Sequence, residues 1–329
     1  MKGGRASRHI GRILIRAMIT LLMVAVLNFI LFRVIPGDPS SLLLGGARTS
    51  VSAEQIEAQR QRWGLDRPLI PDQLVEYLST TLQGDLGYSF KFRGRHVADL
   101  ISERLPATIV LVGVAQVIAI LIGVMLGIYA GWRRGGVLDT LATGSSLLLY
   151  STPSFWMAMI LVVIFSTSLG WFPGYGAYSP GAITGSFGSF LDFLRHLTLP
   201  VTAVALGLIG QYVVVARAAM SDVVTEDYMA TARAKGLTGG QMLMRHAFRN
   251  AMLPVVTLIT LNLGYVVAGA ITVEAVFAWP GIGGLTVEAL NARDYPVLQG
   301  IFLLLGASIV VANLVADLAY GLLDPRVRQ

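Results

Sequence analysis

Side chains able to carry chemistry are sparse in this sequence. The four histidines, His9, His96, His196 and His246, have no cysteine anywhere in the chain to join them, and neither an H-E-x-x-H nor a G-x-S-x-G pattern is present. Without cysteine, disulfides and thiolate metal sites are also excluded. A phosphate-cradling loop needs Gly-Lys, yet the only lysines, Lys2, Lys91 and Lys235, follow Met1, Phe90 and Ala234, so ATP cannot bind in that way. What remains is one polar run, "EDYMATARAKGLTGGQMLMRHAFRNAMLP" (residues 226–254), and a few polar side chains set singly in long apolar stretches.

Those single residues are Asn28, Gln211, Asn262, Glu274, Asn313 and Asp317. Polar groups inside a membrane are expensive and usually face a bundle interior or a cavity, so they are candidate pathway or gate positions. For Glu274 and Asp317, near the ends of their stretches, an interfacial ion pair or a bond to loop backbone is an equal alternative. Asp317, Tyr320 and Asp324-Pro325-Arg326 also read as a structural latch.

The elements that must position these groups follow from composition. The chain has 329 residues, 54% hydrophobic and 13% charged, with a mean hydropathy of +0.67. Soluble domains carry about 25% charged residues, so this chain belongs in lipid. Six continuous apolar stretches (residues 17–34, 107–130, 138–165, 197–215, 254–277 and 297–320) approach or exceed the roughly 20 residues that a bilayer core requires of a helix. Barrel strands alternate over about ten residues, and these stretches do not. The expected fold is therefore all-α with six transmembrane helices, in which Pro153 and Pro200 either bend the third and fourth spans or are packing kinks.

Cations set the orientation. Lys2, Arg5, Arg8, Arg12 and Arg16, then Arg133 and Arg134, then Arg217, Arg233, Lys235, Arg245 and Arg249, and finally Arg326 and Arg328 fall on one side, against Arg195 and Arg293 in the short loops of the other. The first side is cytoplasmic, with both termini on it. The histidines then alternate between sides and cannot converge on a metal. The net charge of +6 is a by-product of this topology, and its scattered cations do not form a nucleic-acid surface. The basic, apolar amino terminus lacks a small-residue cleavage site before "RVIPGDP", which predicts an uncleaved first span.

Three regions result: residues 1–35, an amino terminus and first span; residues 36–106, an external loop domain; and residues 107–329, a five-helix core with a cytoplasmic loop at 217–253. In the external loop, "SAEQIEAQRQRWG", "PDQLVEYLSTTLQG" (stopping at Gly84) and "HVADLISERLP" predict three short amphipathic helices, fit to cover a pore mouth or receive a partner. In the cytoplasmic loop, Glu226 and Asp227 favour a helix start, and Gly236 supplies the left-handed residue that ends it. Thr238 and Gln241 stand in capping-box spacing for a second helix, whose last turns hold Arg245, His246 and Arg249 before Leu253-Pro254 opens the fifth span. The small residues Ala230, Thr231, Ala232 and Ala234 suit close docking against protein, whereas a headgroup-bound helix pair would favour large apolar residues.

"ATARAKGL…AMLP" resembles the EAA loop in permease subunits of binding-protein-dependent ABC importers. "FRVIPGDP", "GDLGYSF", "STPSF", "VEAVFAWPGIGGL" and "DLAYGLLDPRVR" extend the resemblance along nearly the whole chain, to the B-type permease of oligopeptide and dipeptide importers. Ala230 stands where the motif's eponymous Glu often stands, so no salt bridge is expected there. The resemblance implies a type I importer permease fold, a homologous C-type permease partner, two ATPase domains that hold ATP and Mg, an external solute-binding protein, and location in the plasma (inner) membrane. It also implies that Glu226, Tyr228, Ala230, Thr231, Ala232, Arg233, Ala234, Lys235, Gly236 and Leu237 form an ATPase-coupling helix, while the chain itself binds no cofactor and catalyses nothing. A nickel-complex or glutathione importer, an ion-coupled secondary transporter and a membrane scaffold remain as alternatives.

Overall fold

The computed structural model describes residues 3–34, 68–92, 94–181, 185–268 and 270–323. Among these the regular structure is helical, and the only β pairing is an isolated bridge between Tyr88 and His96. The helices are α1 (Gly3–Phe29), α2 (Leu74–Leu82), α3 (Val97–Trp132), α4 (Val137–Ser151), α5 (Ser154–Leu161), α6 (Phe187–Val224), α7 (Asp227–Ala234), α8 (Gly239–Met242), α9 (Phe248–Ala268), α10 (Ile271–Val276), α11 (Ile282–Ala292) and α12 (Tyr295–Leu323). Four continuous stretches among the described residues, Gly11–Phe32, Val97–Trp132, Phe187–Val224 and Tyr295–Asp317, are long and apolar enough to cross a membrane. Val137–Ser151 with Ser154–Ser168 makes a fifth, bent by 99°.

Three expectations need correction. The stretch 254–277 is not one helix, because α9 stops at Ala268 and α10 begins at Ile271, with Ala270 outside helical geometry at φ −106°, ψ 70°. "HVADLISERLP" is not a separate loop helix, because α3 runs unbroken through Pro106. Proline is tolerated inside membrane helices, and beside Pro106 Trp279 Nε1 donates to the Ala107 carbonyl at 3.0 Å. Nor does the second helix of the polar run end before Pro254: α8 passes through a π-helical turn, Leu243–Ala247, straight into α9, which is not among the helices long and apolar enough to cross a membrane, so the expected six spans are not all found among the described residues. The helix expected from "SAEQIEAQRQRWG" lies outside the described residues, whereas α2 ends at Leu82 as expected, with Gly84 at φ +82°.

The chain divides into two compact units. In the first, residues 1–104 and 285–329, α1 packs along α12, where Phe32 meets Phe302 edge-on at 5.3 Å. Asn28 Nδ2 donates to the Gln299 carbonyl at 3.0 Å, and Phe29 stacks near Tyr77 of α2 at 5.5 Å. The "GDLGYSF" segment is held by Asp294, a buried carboxylate that accepts from the Ser89 hydroxyl and from the backbone N–H groups of Phe90 (3.1 Å) and Lys91 (3.0 Å).

In the second unit, Leu105–Gly284, the central contact is a glycine face on α3. A β-carbon on Gly123 would lie 2.7 Å from that of Tyr212, one on Gly127 2.7 Å from that of Ala216, and one on Gly131 2.6 Å from the Arg217 carbonyl. Three glycines four residues apart thus bring the α3 backbone directly onto α6, the small-residue packing that lipid-embedded helices use in place of a hydrophobic driving force. Because both series ascend together, α3 and α6 run in the same direction, as second and fourth spans must. Across α6, Gly210 gives way to α4, where a β-carbon would sit 2.6 Å from the Ser146 carbonyl. Pro153 stands at the break between α4 and α5, with Thr152 before it extended at φ −82°, ψ 126°, as proline requires of its predecessor. Pro200 lies inside the continuous α6.

Candidate coupling and pathway sites

The polar run of residues 226–254 folds as its capping residues direct. Glu226 stands at the N-cap of α7 in an extended conformation, and Asp227 puts negative charge in the first turn, where the helix dipole favours it. At the other end Gly236 is left-handed at φ +80°. Its N–H donates to the Arg233 carbonyl at 3.0 Å and that of Leu237 to the Ala232 carbonyl at 3.4 Å, the paired bonds of a Schellman stop. Thr238 and Gln241 then form the expected capping box: the Thr238 N–H donates to Gln241 Oε1 at 3.0 Å, and the Gln241 N–H to Thr238 Oγ1 at 3.4 Å.

Helical spacing gives α7 two faces. Met229 and Ala232 turn inward and join Met220, Met242, Ala247 and Ala251 in a buried cluster, with Leu237 packed against it. Asn250 Nδ2 donates to the Tyr228 hydroxyl at 2.8 Å, tying α7 to α9 a second time. Glu226, Tyr228, Ala230, Thr231, Arg233, Ala234, Lys235 and Gly236 stay exposed. Ala232 must therefore be removed from any docking face: its methyl is spent on the chain's own core. The exposed face carries small side chains at Ala230, Thr231 and Ala234, with the cations Arg233 and Lys235 at its C-terminal end.

The polar residues of the spans separate into different environments. Gln211 and Asn262 do meet, Asn262 Nδ2 donating to Gln211 Oε1 at 3.1 Å and to the Tyr212 hydroxyl at 3.2 Å. Gln116, which sequence reading passed over, donates to the same hydroxyl from α3. A neutral chain of amides and one phenol thus joins α3, α6 and α9, with Gln116 and Tyr212 buried and Gln211 and Asn262 partly exposed. An α3 glutamine between Ala115 and Val117 was the available signal.

Glu274 is fully buried and serves the fold. Its Oε1 accepts from Thr108 Oγ1 at 2.8 Å, and its Oε2 accepts from the N–H groups of Gly283 (2.7 Å) and Gly284 (3.4 Å) at the start of α11. Thr108 Oγ1 in turn accepts from the Ile282 N–H at 2.8 Å. A carboxylate here satisfies helix-terminal donors and is favoured by the dipole. This accounts for two glycines of "WPGIGG", Gly281 and Gly283, since a β-carbon on Gly283 would lie 2.9 Å from Glu274 Oε2 and one on Gly281 closer still. Of the two alternatives, the bond to loop backbone is the one formed, and Glu274 is withdrawn from the gate positions.

Asn313 and Asp317 are exposed on α12, in the first unit, and Asn28 is buried against Gln299. The Tyr320 side chain and residues 324–326 of the expected latch lie outside the described residues. Among the described residues no group of three or more His, Asp or Glu side chains is placed to hold a metal ion.

Comparison with known proteins gives this arrangement its context. The dipeptide transport system permease protein of Escherichia coli is 38% identical over 328 residues, covering 94% of this chain and 95% of that protein. The di/tripeptide transport system permease protein of Pseudomonas aeruginosa is 39% identical over 322 residues, covering 93% and 94%. A putative peptide permease protein of Brucella suis is 39% identical over 311 residues, covering 94% and 95%. In fold, the chain is similar to a solved structure of the MetNI methionine ABC transporter in inward-facing conformation, at a TM-score of 0.52 and 15% identity, covering 68% of this chain and 96% of that one. The model of the binding-protein-dependent transport system inner membrane component matches residues 123–329, and its N-terminal counterpart matches residues 7–112. With its long apolar helices and its capped polar helix ahead of α9, the chain belongs to the family of binding-protein-dependent transport system inner membrane components, as an ABC importer permease.

Proposed function

We propose that this chain forms half of the translocation pathway of an importer of short peptides. The observation that carries the substrate class is the 38–39% identity, along nearly the full chain, to permeases named for dipeptides and di/tripeptides. In this reading a homologous C-type permease supplies the other half of the pathway, and an external solute-binding protein delivers the peptide to the loop domain of residues 36–106. Two ATPase domains holding ATP and Mg dock beneath, on the exposed face of α7. Both termini are cytoplasmic. ATP binding closes the ATPases and displaces α7, and the spans alternate between inward and outward openings. A rigid lever is supported by the continuous run from α8 into α9 together with the ties that hold α7 to it, the packing of Met229 and Ala232 with Met242 and Ala251 and the Asn250–Tyr228 bond.

Gln211 and Asn262 are the pathway candidates we retain, since their side chains are partly exposed and offer neutral amide donors and acceptors suited to peptide groups. The test is co-expression of the tagged chain with the proteins encoded beside it, followed by uptake of labelled dialanine. We expect co-purified ATPases and saturable, ATP-dependent uptake. Retention of ATPases without uptake of any di- or tripeptide would overturn the substrate, and absence of ATPases would overturn the importer reading.

A further inference from the structure

The coupling reading leaves unexplained how a displacement of α7 reaches the bent third span, and one side-chain cluster in the second unit answers this. Asp139, in the first turn of α4, is buried. Its carboxylate takes both arms of the Arg217 guanidinium: Nε donates to Oδ1 at 2.5 Å and Nη2 to Oδ2 at 2.9 Å. The Gly135 N–H also donates to Oδ2 at 2.9 Å, and Thr143 Oγ1 to Oδ1 at 3.3 Å. Four donors on one carboxylate fix the turn between α3 and α4 and bind it to the end of α6. Paired N–H···O bonds add direction as well as attraction, so the contact resists rotation and sliding.

Arg217 lies in the last turns of α6, just before the chain passes through Thr225 into α7. Its own carbonyl faces Gly131, where the α3 backbone approaches most closely. At the same level Trp132, the last residue of α3, packs on the cluster of Met229, Ala232 and Met242, and its Cζ2 would lie 3.9 Å from a β-carbon on Gly239. The turn between α3 and α4 is thus held twice, by the Trp132 ring against the α7–α8 cluster and by the Asp139–Arg217 ion pair to the end of α6, the helix that leads into α7. An apolar contact can slide, and a bidentate ion pair cannot do so without breaking.

We infer that the Asp139–Arg217 pair is the strut through which movement of the α7 docking helix is delivered to α4 and so to the span bent at Pro153. Both are positioning residues for transport, acting through α4 and not by contact with substrate. The inference rests on the importer reading above.

The experiment compares wild type with Asp139→Asn, Arg217→Gln, the double variant and Arg217→Lys, each reconstituted with its partner permease, ATPases and binding protein. The readouts are ATPase retention, ATP hydrolysis, and dialanine imported per ATP hydrolysed. Both single variants should retain the ATPases and the KM for ATP, while import per ATP falls by roughly 5- to 150-fold, the span of an ordinary coupling free energy. The double variant should be no worse than either single one, because each residue acts through the other. Arg217→Lys, which keeps the charge and one bond, should recover part of the loss. If the wild-type assembly retains no ATPase, the importer reading has failed. If the wild type is active and the variants match its ratio, or if the effects of the single variants add, the strut is refuted. Were Asp139→Asn to fold poorly, Arg217→Lys alone decides, since a purely structural role would lower yield and leave import per ATP unchanged.

Discussion

Gly236 isolates backbone geometry from packing. It sits at φ +80°, and a β-carbon there would meet nothing within 4 Å, so substitution brings no collision. The whole effect is conformational: an L-residue in the left-handed region costs about 1–2 kcal/mol. That strain falls on two bonds, Gly236 N–H to Arg233 and Leu237 N–H to Ala232, and on the packing of Leu237 against Met229 and its neighbours. An eight-residue helix held by two buried side chains and one phenol–amide bond has little reserve, so its last turn unwinds in preference to bearing the strain. A destabilisation of one to two kcal/mol changes a conformer ratio by about 5–30-fold, so the ratio of docking-competent to unwound α7 falls by that factor in Gly236→Ala. Gly236→Val falls further, because β-branching is poorly tolerated there. Gly236→Asn is the control, since asparagine enters the left-handed region at small cost. The assay is titration of the purified ATPase onto the permease complex in detergent, with labelled dialanine uptake beside it. Affinity should rank Gly, Asn, Ala, Val. Equal affinity for alanine and glycine, or asparagine as damaging as valine, would show that the left-handed turn does not set the docking geometry.

Three further outcomes are expected. Gly127→Ala, forced to within 2.7 Å of the Ala216 β-carbon, should destabilise the purified protein by about 1–3 kcal/mol in a detergent melt, while Gly113→Ala, with open space around it, should be neutral or slightly stabilising. Glu274→Ala strands the Thr108 hydroxyl and the Gly283 N–H, at about 1–3 kcal/mol for each donor left unpaired, and should lower yield and melting temperature well beyond Asn313→Ala on the exposed face of α12. A reporter fused after Gly84 should lie outside and one after Gly239 in the cytoplasm, and either result reversed would overturn the orientation.

The sequence by itself determined whatever depends on neighbours along the chain. Solvent class follows from composition, and the stops at Gly84 and Gly236 and the box at Thr238 and Gln241 follow from local backbone chemistry, which the structure reproduces residue by residue. Only the tertiary structure decided what lies across from a residue. Pro106 reads locally as a helix stop, yet α3 continues through it, and the next residue, Ala107, is bonded by Trp279, 172 positions away in sequence. Glu274 has the sequence signature of a gate and becomes a clamp, because Thr108 and the first N–H groups of α11 converge on it. Ala232 differs from Ala230 and Ala234 only in facing Met242 and Ala247. Gln116 is marked locally only as a polar residue in an apolar run and Asp139 only as an acid in a helix's first turn, and their roles lie in Tyr212 and Arg217 on α6. Spacing along one helix says which side chains share a face, but a face becomes a core, a pathway or a strut only through what packs against it.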